Sequence, residues 1–267
     1  MRALLALALV LAGCQQAEPV PRTLGHPTVV SLNPCADAIL AEVAAPGQLL
    51  AISHYSHDSL GSSMPLEQAR AYPATGGTVE EVLALDPDLV VTGSFLAPAT
   101  RNAFERLGIE VVTLGVTQDV ESSAEQVREL SAAVDRAEQG EMLAARIEQA
   151  WSASAFTGTP VSTLFWQADG IVPGQDGLIT GLLEHTGFVS QSAAQGIEQG
   201  AYLPLERVLA DPPELVIAAA NQRMLSHPAL REQSDIAYAT FDPSLLFCGG
   251  PSIPRALERL VEVRASL

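Results

Sequence analysis

Apolar and polar positions fall along this chain in short blocks whose period switches repeatedly between two and about 3.6 residues. "PTVVSLNP" (Pro27 to Pro34) is a β-branched run that reads as a buried strand, and Ala36–Ala44 then carries apolar residues at helical spacing. The same alternation continues through a helical pattern at Thr100–Leu107 and a strand at Glu110–Leu114. Past the middle, "PVSTLFWQ" (Pro160 to Gln167) opens a second series, with helical patterns at Leu178–His185 and Ala229–Gln233. Strands alternating with helices in this way predict parallel sheets covered by helices. Between the two series, Val120 to Trp151 is almost continuously helical, interrupted at Gly140. It reads either as an ordinary pair of helices or as a rigid strut, and it offers no Gly/Ser hinge.

The pattern also repeats. "VEEVLALDPDLVV" (Val79 to Val91) superposes on "LERVLADPPELVI" (Leu205 to Ile217) at a constant offset of 126 positions. Glu80 falls on Glu206, Pro87 on Pro213 and Asp88 on Glu214. Matching apolar positions alone would mean little; a matching Glu, Pro and acid in one window is internal duplication. Each copy predicts a short helix, a Pro turn and a buried strand. The expected architecture is α/β, with two similar parallel-sheet lobes joined by a long rigid helix and a ligand cleft between the lobes. The boundaries are a signal at 1–13, a tether at 14–26, a first lobe at 27–118, a bridge at 119–158 and a second lobe at 159–267.

The first residues change the picture of location. Met1-Arg2, the apolar run Ala3–Leu11 and Ala12-Gly13-Cys14 make a secretory signal too short to remain as a membrane span. "LAGC" resembles the lipobox of bacterial lipoproteins, which implies lipid on Cys14 and a soluble protein tethered in the periplasm. Net charge is −17, and every one of the 14 basic residues is Arg. That balance disfavours nucleic acid and anionic lipid surfaces, and the lack of Lys excludes Schiff-base and P-loop chemistry. Besides Cys14, only Cys35 and Cys248 remain; they read either as a disulfide pinning the lobes, favoured by an oxidising compartment if geometry allows, or as a pair of soft ligands to a metal or chelate.

"GGTVEEVLALDPDLVVTG", its second copy, the bridging helix and the lipobox together are similar to the helical-backbone (class III) periplasmic substrate-binding proteins of ABC importers. Within these, the chain resembles the cobalamin and ferric-siderophore binding proteins. The resemblance implies a monomer that performs no catalysis, needs no cofactor and hands a small-molecule chelate to a membrane permease. It also implies that Glu80 and Glu206, one per lobe, pair with permease arginines, an arrangement suited to a symmetric dimer. Ligands of open α/β sheets sit beyond the carboxyl ends of the strands. That selects Pro34, Cys35, His54, Tyr55, His57, Gly76 and Phe95 from the first lobe. From the second it selects Trp166, Gln167, Asn221, Phe247 and Cys248. Tyr55 matches a cleft tyrosine of the cobalamin-binding relatives, and Trp166 stands where they place an aromatic, which could stack on a flat ligand; Trp166 also reads as a core residue.

Two departures bear on the ligand. Thr75-Gly76-Gly77 stands where the relatives have a tryptophan, and Cys248 stands where they have a basic residue. With only Arg223 near the candidate segments, the cleft suits a neutral or cationic chelate better than a triply anionic one. Two alternatives stay open. His54-x-x-His57 could contribute to a free zinc or manganese site, but His26, His185 and His227 lie at no obvious strand end opposite it, and such sites want three or four ligands. Cys35 with His54 could form a hydrolase nucleophile and base, without an identifiable orienting carboxamide or carboxylate or an oxyanion hole.

Overall fold

The computed structural model describes residues 25–219, 228–231, 233 and 235–267. Cys14, the signal, Asn221, Arg223 and His227 lie outside the described residues. The first lobe runs β1 (Val29–Ser31), α1 (Pro34–Val43), β2 (Leu49–Ser53), α2 (Leu66–Ala69), β3 (Ala74–Thr75), α3 (Val79–Ala84), β4 (Leu89–Gly93), α4 (Pro98–Arg106) and β5 (Glu110–Leu114). Its five strands form one parallel sheet in the order β3-β2-β1-β4-β5.

After the bridge of α5 (Val120–Ala133) and α6 (Ala137–Ala153), the second lobe runs β6 (Val161–Trp166), β7 (Ile171–Val172), α7 (Leu178–His185), β8 (Phe188–Ser190) and α8 (Gln191–Ala194). It continues with β9 (Ala201–Tyr202), α9 (Leu205–Ala210), β10 (Leu215–Ala219), α10 (Pro228–Arg231), β11 (Ala237–Phe241) and α11 (Ser252–Ala265). The order β11-β10-β6-β8 is again parallel, and β7 pairs with β9 as a separate antiparallel ribbon.

The internal repeat is therefore a repeat of topology: β2-β1-β4-β5 has the same order as β8-β6-β10-β11. The duplicated acid has one job in both copies. The Thr28 backbone N–H donates to Asp88 Oδ2 at 2.8 Å, and the Ser162 N–H donates to Glu214 Oε1 at 3.1 Å. Each acid's carbonyl then accepts from the first residue of the next strand, Glu110 or Ala237. Each carboxylate thus ties the opening strand to the strand that follows the Pro turn, so register is set by a side chain as well as by the ladder.

The bridge is a helical hairpin, which corrects the expectation of one long helix interrupted at Gly140. The chain turns at Val134–Arg136, where Asp135 takes φ 56°. Gly140 lies inside α6, and a Cβ there would collide with the Ser131 side chain of α5. Its missing side chain lets the two antiparallel helices approach closely. Arg128 of α5 adds ion pairs to Glu141 and Glu148 of α6, at 2.8 Å each. One continuous core runs through Ile39 and Leu40 of α1, Val127 of α5, Ile147 of α6, Phe165 of β6, Leu182 of α7 and Leu257 of α11. The lobes are consequently packed through the hairpin rather than strung on a linker.

Candidate functional site

In each sheet the strand order reverses beside the opening strand, so crevices form at the carboxyl ends of β1 and β4 and of β6 and β10. At β1 the sequence "NPC" builds a helix start. Pro34 occupies the first turn of α1, and Asn33 Oδ1 accepts the backbone N–H groups of Cys35 (2.8 Å) and Ala36 (3.2 Å). Gly93, at the end of β4, leaves room for that cap: a Cβ there would come within 2.6 Å of Asn33 Nδ2.

Cys35, so placed, is joined to Cys248 by a disulfide with a Cα–Cα separation of 5.2 Å. Cys35 therefore has no free thiol, which removes the nucleophile of the hydrolase alternative. The Cys248 loop is seated on the first lobe by more than this bond. The Gly250 N–H donates to Ser123 Oγ of α5, and Gly249 lies against Ser123 and Thr117 too closely to accept a side chain. Asn33, Cys35, Phe95, Val116, Phe247 and Cys248 share a cavity of about 70 Å³. That volume holds two or three waters, since each takes about 30 Å³ of liquid. A larger ligand would have to seat on the rim of this cavity.

The rim is apolar. Phe95 is 93% exposed, Val116 77% and Phe247 60%, on the loops after β4, β5 and β11, and Tyr55, 58% exposed, stands after β2 on the same sheet edge. These exposed apolar side chains stand at strand ends rather than scattered over the surface. A larger groove of about 610 Å³ lies between the open end of the hairpin and α7, lined by Val120, Trp151, Leu178 and Leu182 with Asp119, Glu121 and Glu148 around them. None of the residues selected from the sequence lines it.

The turn that carries Tyr55 is fixed from below. His54–His57 forms one 3-10 turn directly after β2. Buried Asp37 of α1 accepts the Ser53 backbone N–H at 3.0 Å and the Ser56 hydroxyl at 2.6 Å through the same oxygen, Oδ2. Its Oδ1 has no partner. Burial pushes the Asp37 carboxyl up to about 7, against the opposing pull of the nearby Ser31 hydroxyl, the Ser56 hydroxyl and the Ser53 N–H. Above the turn, His54 Nδ1 lies 3.3 Å from the Thr75 carbonyl, and its ring lies 4.1 Å from that of Tyr55. His57 is half-buried, with Nε2 3.1 Å from the Ala69 carbonyl. The Gly76 backbone N–H is already committed to Glu81 at 2.7 Å. The Thr75 hydroxyl and then this N–H hold the Glu81 carboxyl below the usual range.

In the second lobe, Trp166 is 2% exposed and packs with Leu164, Val172, Leu203 and Val216. Its ring belongs to the core beneath the β7–β9 ribbon and presents no face to the cleft, a correction to its placement as a ligand-stacking residue. Gln167 is half-buried and its backbone N–H donates to Ile171, which starts that ribbon. Tyr202, on β9, lies over Gly170 and is well exposed. Sequence reasoning passed over it, although the offset of 126 maps the selected Gly76 onto Tyr202. Glu80 and Glu206 are both exposed, each at the second position of its helix, α3 or α9. Among the described residues no group of three or more His, Cys, Asp and Glu is arranged to hold a metal ion.

Comparison with solved structures finds the periplasmic heme-binding protein RhuT from Roseiflexus sp. RS-1, 19% identical, with a TM-score of 0.71 over 91% of this chain and 98% of that one. The vitamin B12 binding protein BtuF of Vibrio cholerae is 18% identical, with a TM-score of 0.67 over 89% and 96%. The heme-binding protein HutB of Vibrio cholerae is 15% identical, with a TM-score of 0.72 over 89% and 98%. At these identities the likeness is one of fold. No curated protein matches the chain in sequence. The family model described as "Periplasmic binding protein" matches residues 29–235, most of the described chain, and the protein therefore belongs to the periplasmic binding protein family.

Proposed function

We propose that this protein captures a metal chelate at the strand-end surface between its lobes and delivers it to the permease of an ABC importer. The chelate is a corrinoid, a haem or a ferric siderophore-like complex, with a neutral or weakly charged ligand preferred. The observation that carries the reading is the exposed rim of Phe95, Val116 and Phe247 around the Cys35–Cys248 bridge, with Tyr55 exposed just after β2 on the same sheet edge. Flat or partly apolar ligands gain from such a surface by stacking and burial. Among the described residues no Arg lines the strand-end cavity, which favours a neutral or weakly charged ligand there. The heme- and B12-binding proteins that share the fold make the same ligand class reasonable.

On this reading the mature chain is held in the periplasm by lipid on Cys14. Glu80 and Glu206 dock the two lobes onto arginines of a permease dimer, supported by their equivalent positions in the repeat. Two measurements test the ligand and the docking parts. Purified protein is titrated with cyanocobalamin, iron(III) protoporphyrin, a ferric tris-catecholate and zinc, following Trp151 and Trp166 fluorescence. Saturable micromolar binding of a chelate is expected, and a response to zinc alone overturns the reading. Glu80→Arg with Glu206→Arg should abolish uptake of the bound chelate and leave its affinity within about twofold. A fall in affinity instead would place those residues in the binding surface.

A further inference from the structure

The groove between the open end of the hairpin and α7 shares no lining residue with the strand-end cavity. Val120 from the first turn of α5, Trp151 from the end of α6, and Leu178 and Leu182 from α7 give it an apolar floor. Its volume of about 610 Å³ falls within the ordinary range of small-molecule sites, about 300–1,000 Å³. The indole in that floor is held from behind. The Trp151 ring stacks on the His185 ring with centroids 3.4 Å apart, and His185 Nε2 lies 2.6 Å from the Trp151 carbonyl.

Gly181 keeps the groove open. It lies inside α7, where glycine is a poor helix former. Neither backbone nor packing accounts for it: its φ is not positive, and a Cβ built there meets no atom within 4 Å. Since Gly181 lines the groove, a side chain at that position would take up the groove's own space.

The rim carries charge of one sign. Asp119, Glu121 and Glu148 line it, with no Arg or His beside them. The Ser122 hydroxyl and then the Ser122 backbone N–H hold the Asp119 carboxyl below its usual range, so it is ionised at neutral pH. Arg128 already offsets Glu148 at 2.8 Å, while Asp119 and Glu121 have no Arg partner among the described residues. The starts of α5 and α7 bring partial positive charge, about half a unit each, which two full carboxylates outweigh. An anion is therefore repelled, and a purely apolar ligand leaves the rim unused.

We propose that this groove is a second ligand site, for a small organic cation: a substituted ammonium with an aliphatic or aromatic body. The body is buried on Val120, Leu178 and Leu182, and the ammonium stays at the rim, facing Asp119 and Glu121. Such a ligand touches the bridge through α5 and α6 and the second lobe through α7. The site stands independently of the chelate reading.

The test uses phenylbutylamine, phenylbutanol and phenylbutyrate, which share one body and differ in charge. Each is titrated calorimetrically into the wild type, Gly181→Leu, and Asp119→Asn with Glu121→Gln. The amine should saturate one site and bind about tenfold or more tightly than the alcohol or the acid. Gly181→Leu should abolish that binding by filling the groove. Leucine is the better helix former and its Cβ has room, so the fold is kept, as far-UV circular dichroism would check. Asparagine still caps a helix, so the double variant should keep α5 and bind the amine no better than the alcohol. Three results overturn the inference: no binding of the amine by the wild type, amine binding no tighter than that of the alcohol, or amine binding that survives Gly181→Leu. Should Gly181→Leu fail to fold, the double variant decides, and an undiminished preference for the amine there overturns the inference.

Discussion

Asp37 shows how much one side chain can decide. Its carboxylate sits under the His54–His57 turn, and burial raises it from an ordinary 3.8 to about 7. Between those values the unfolded chain ionises while the folded chain keeps its proton, so the unfolded state binds fewer protons. Stability contributed by this group is then full below about pH 4 and lost as pH rises towards 7. Asp37→Asn should remove that slope. Urea midpoints of variant and wild type should diverge in the variant's favour between pH 4.5 and pH 7.5, and parallel curves would refute the assignment. Trp166 is the opposite lesson at this scale. An aromatic at a strand end has the same local sequence whether its ring faces a cleft or folds under the next ribbon. Only the path of residues 168–203 decides, and that path is a tertiary fact. Tyr202 was legible in principle, because the repeat that predicted two lobes also pairs it with Gly76.

At the scale of elements, the helix–Pro–acid–strand unit was readable because its polar residues have fixed duties. Asp88 and Glu214 bond the backbone of the opening strands, so acid spacing carries fold information that apolar periodicity lacks. The hairpin was not readable in the same way. Its turn contains neither Gly nor Pro, and Asp135 supplies the left-handed residue, as Asp can at modest cost. The visible glycine, Gly140, instead marks a helix–helix contact. Gly140→Val should therefore destabilise the protein by about 1–3 kcal/mol through overpacking against Ser131. The ordinary advantage of removing a helical glycine would be smaller, about 0.5–1 kcal/mol. A urea midpoint that rises in the variant would show that the two helices separate readily.

At the scale of the molecule, count and compartment offered the disulfide as one of two readings of the cysteine pair, and neither its geometry nor its setting was legible. The loop after β11 reaches back to α1 and α5, so the bond fastens the second lobe to the start of the first. Cys35→Ser with Cys248→Ser should cost about 2–5 kcal/mol, because the bond closes a very long stretch of chain in the unfolded state. Denaturant unfolding with and without reductant measures it. The wild type should fall to the variant's stability on reduction, and a variant already equal to the oxidised wild type would contradict the claim.

The same bond has a mechanical meaning. It turns residues 35 to 248 into a covalent ring, leaving only the two end segments outside. A pull applied between the chain's ends travels through the sulfur bridge and stretches those end segments alone. A protease that nicks one loop inside the ring opens a circle and frees no fragment. Tension between the chain's ends and a single cut in a loop would each leave both halves attached to one another.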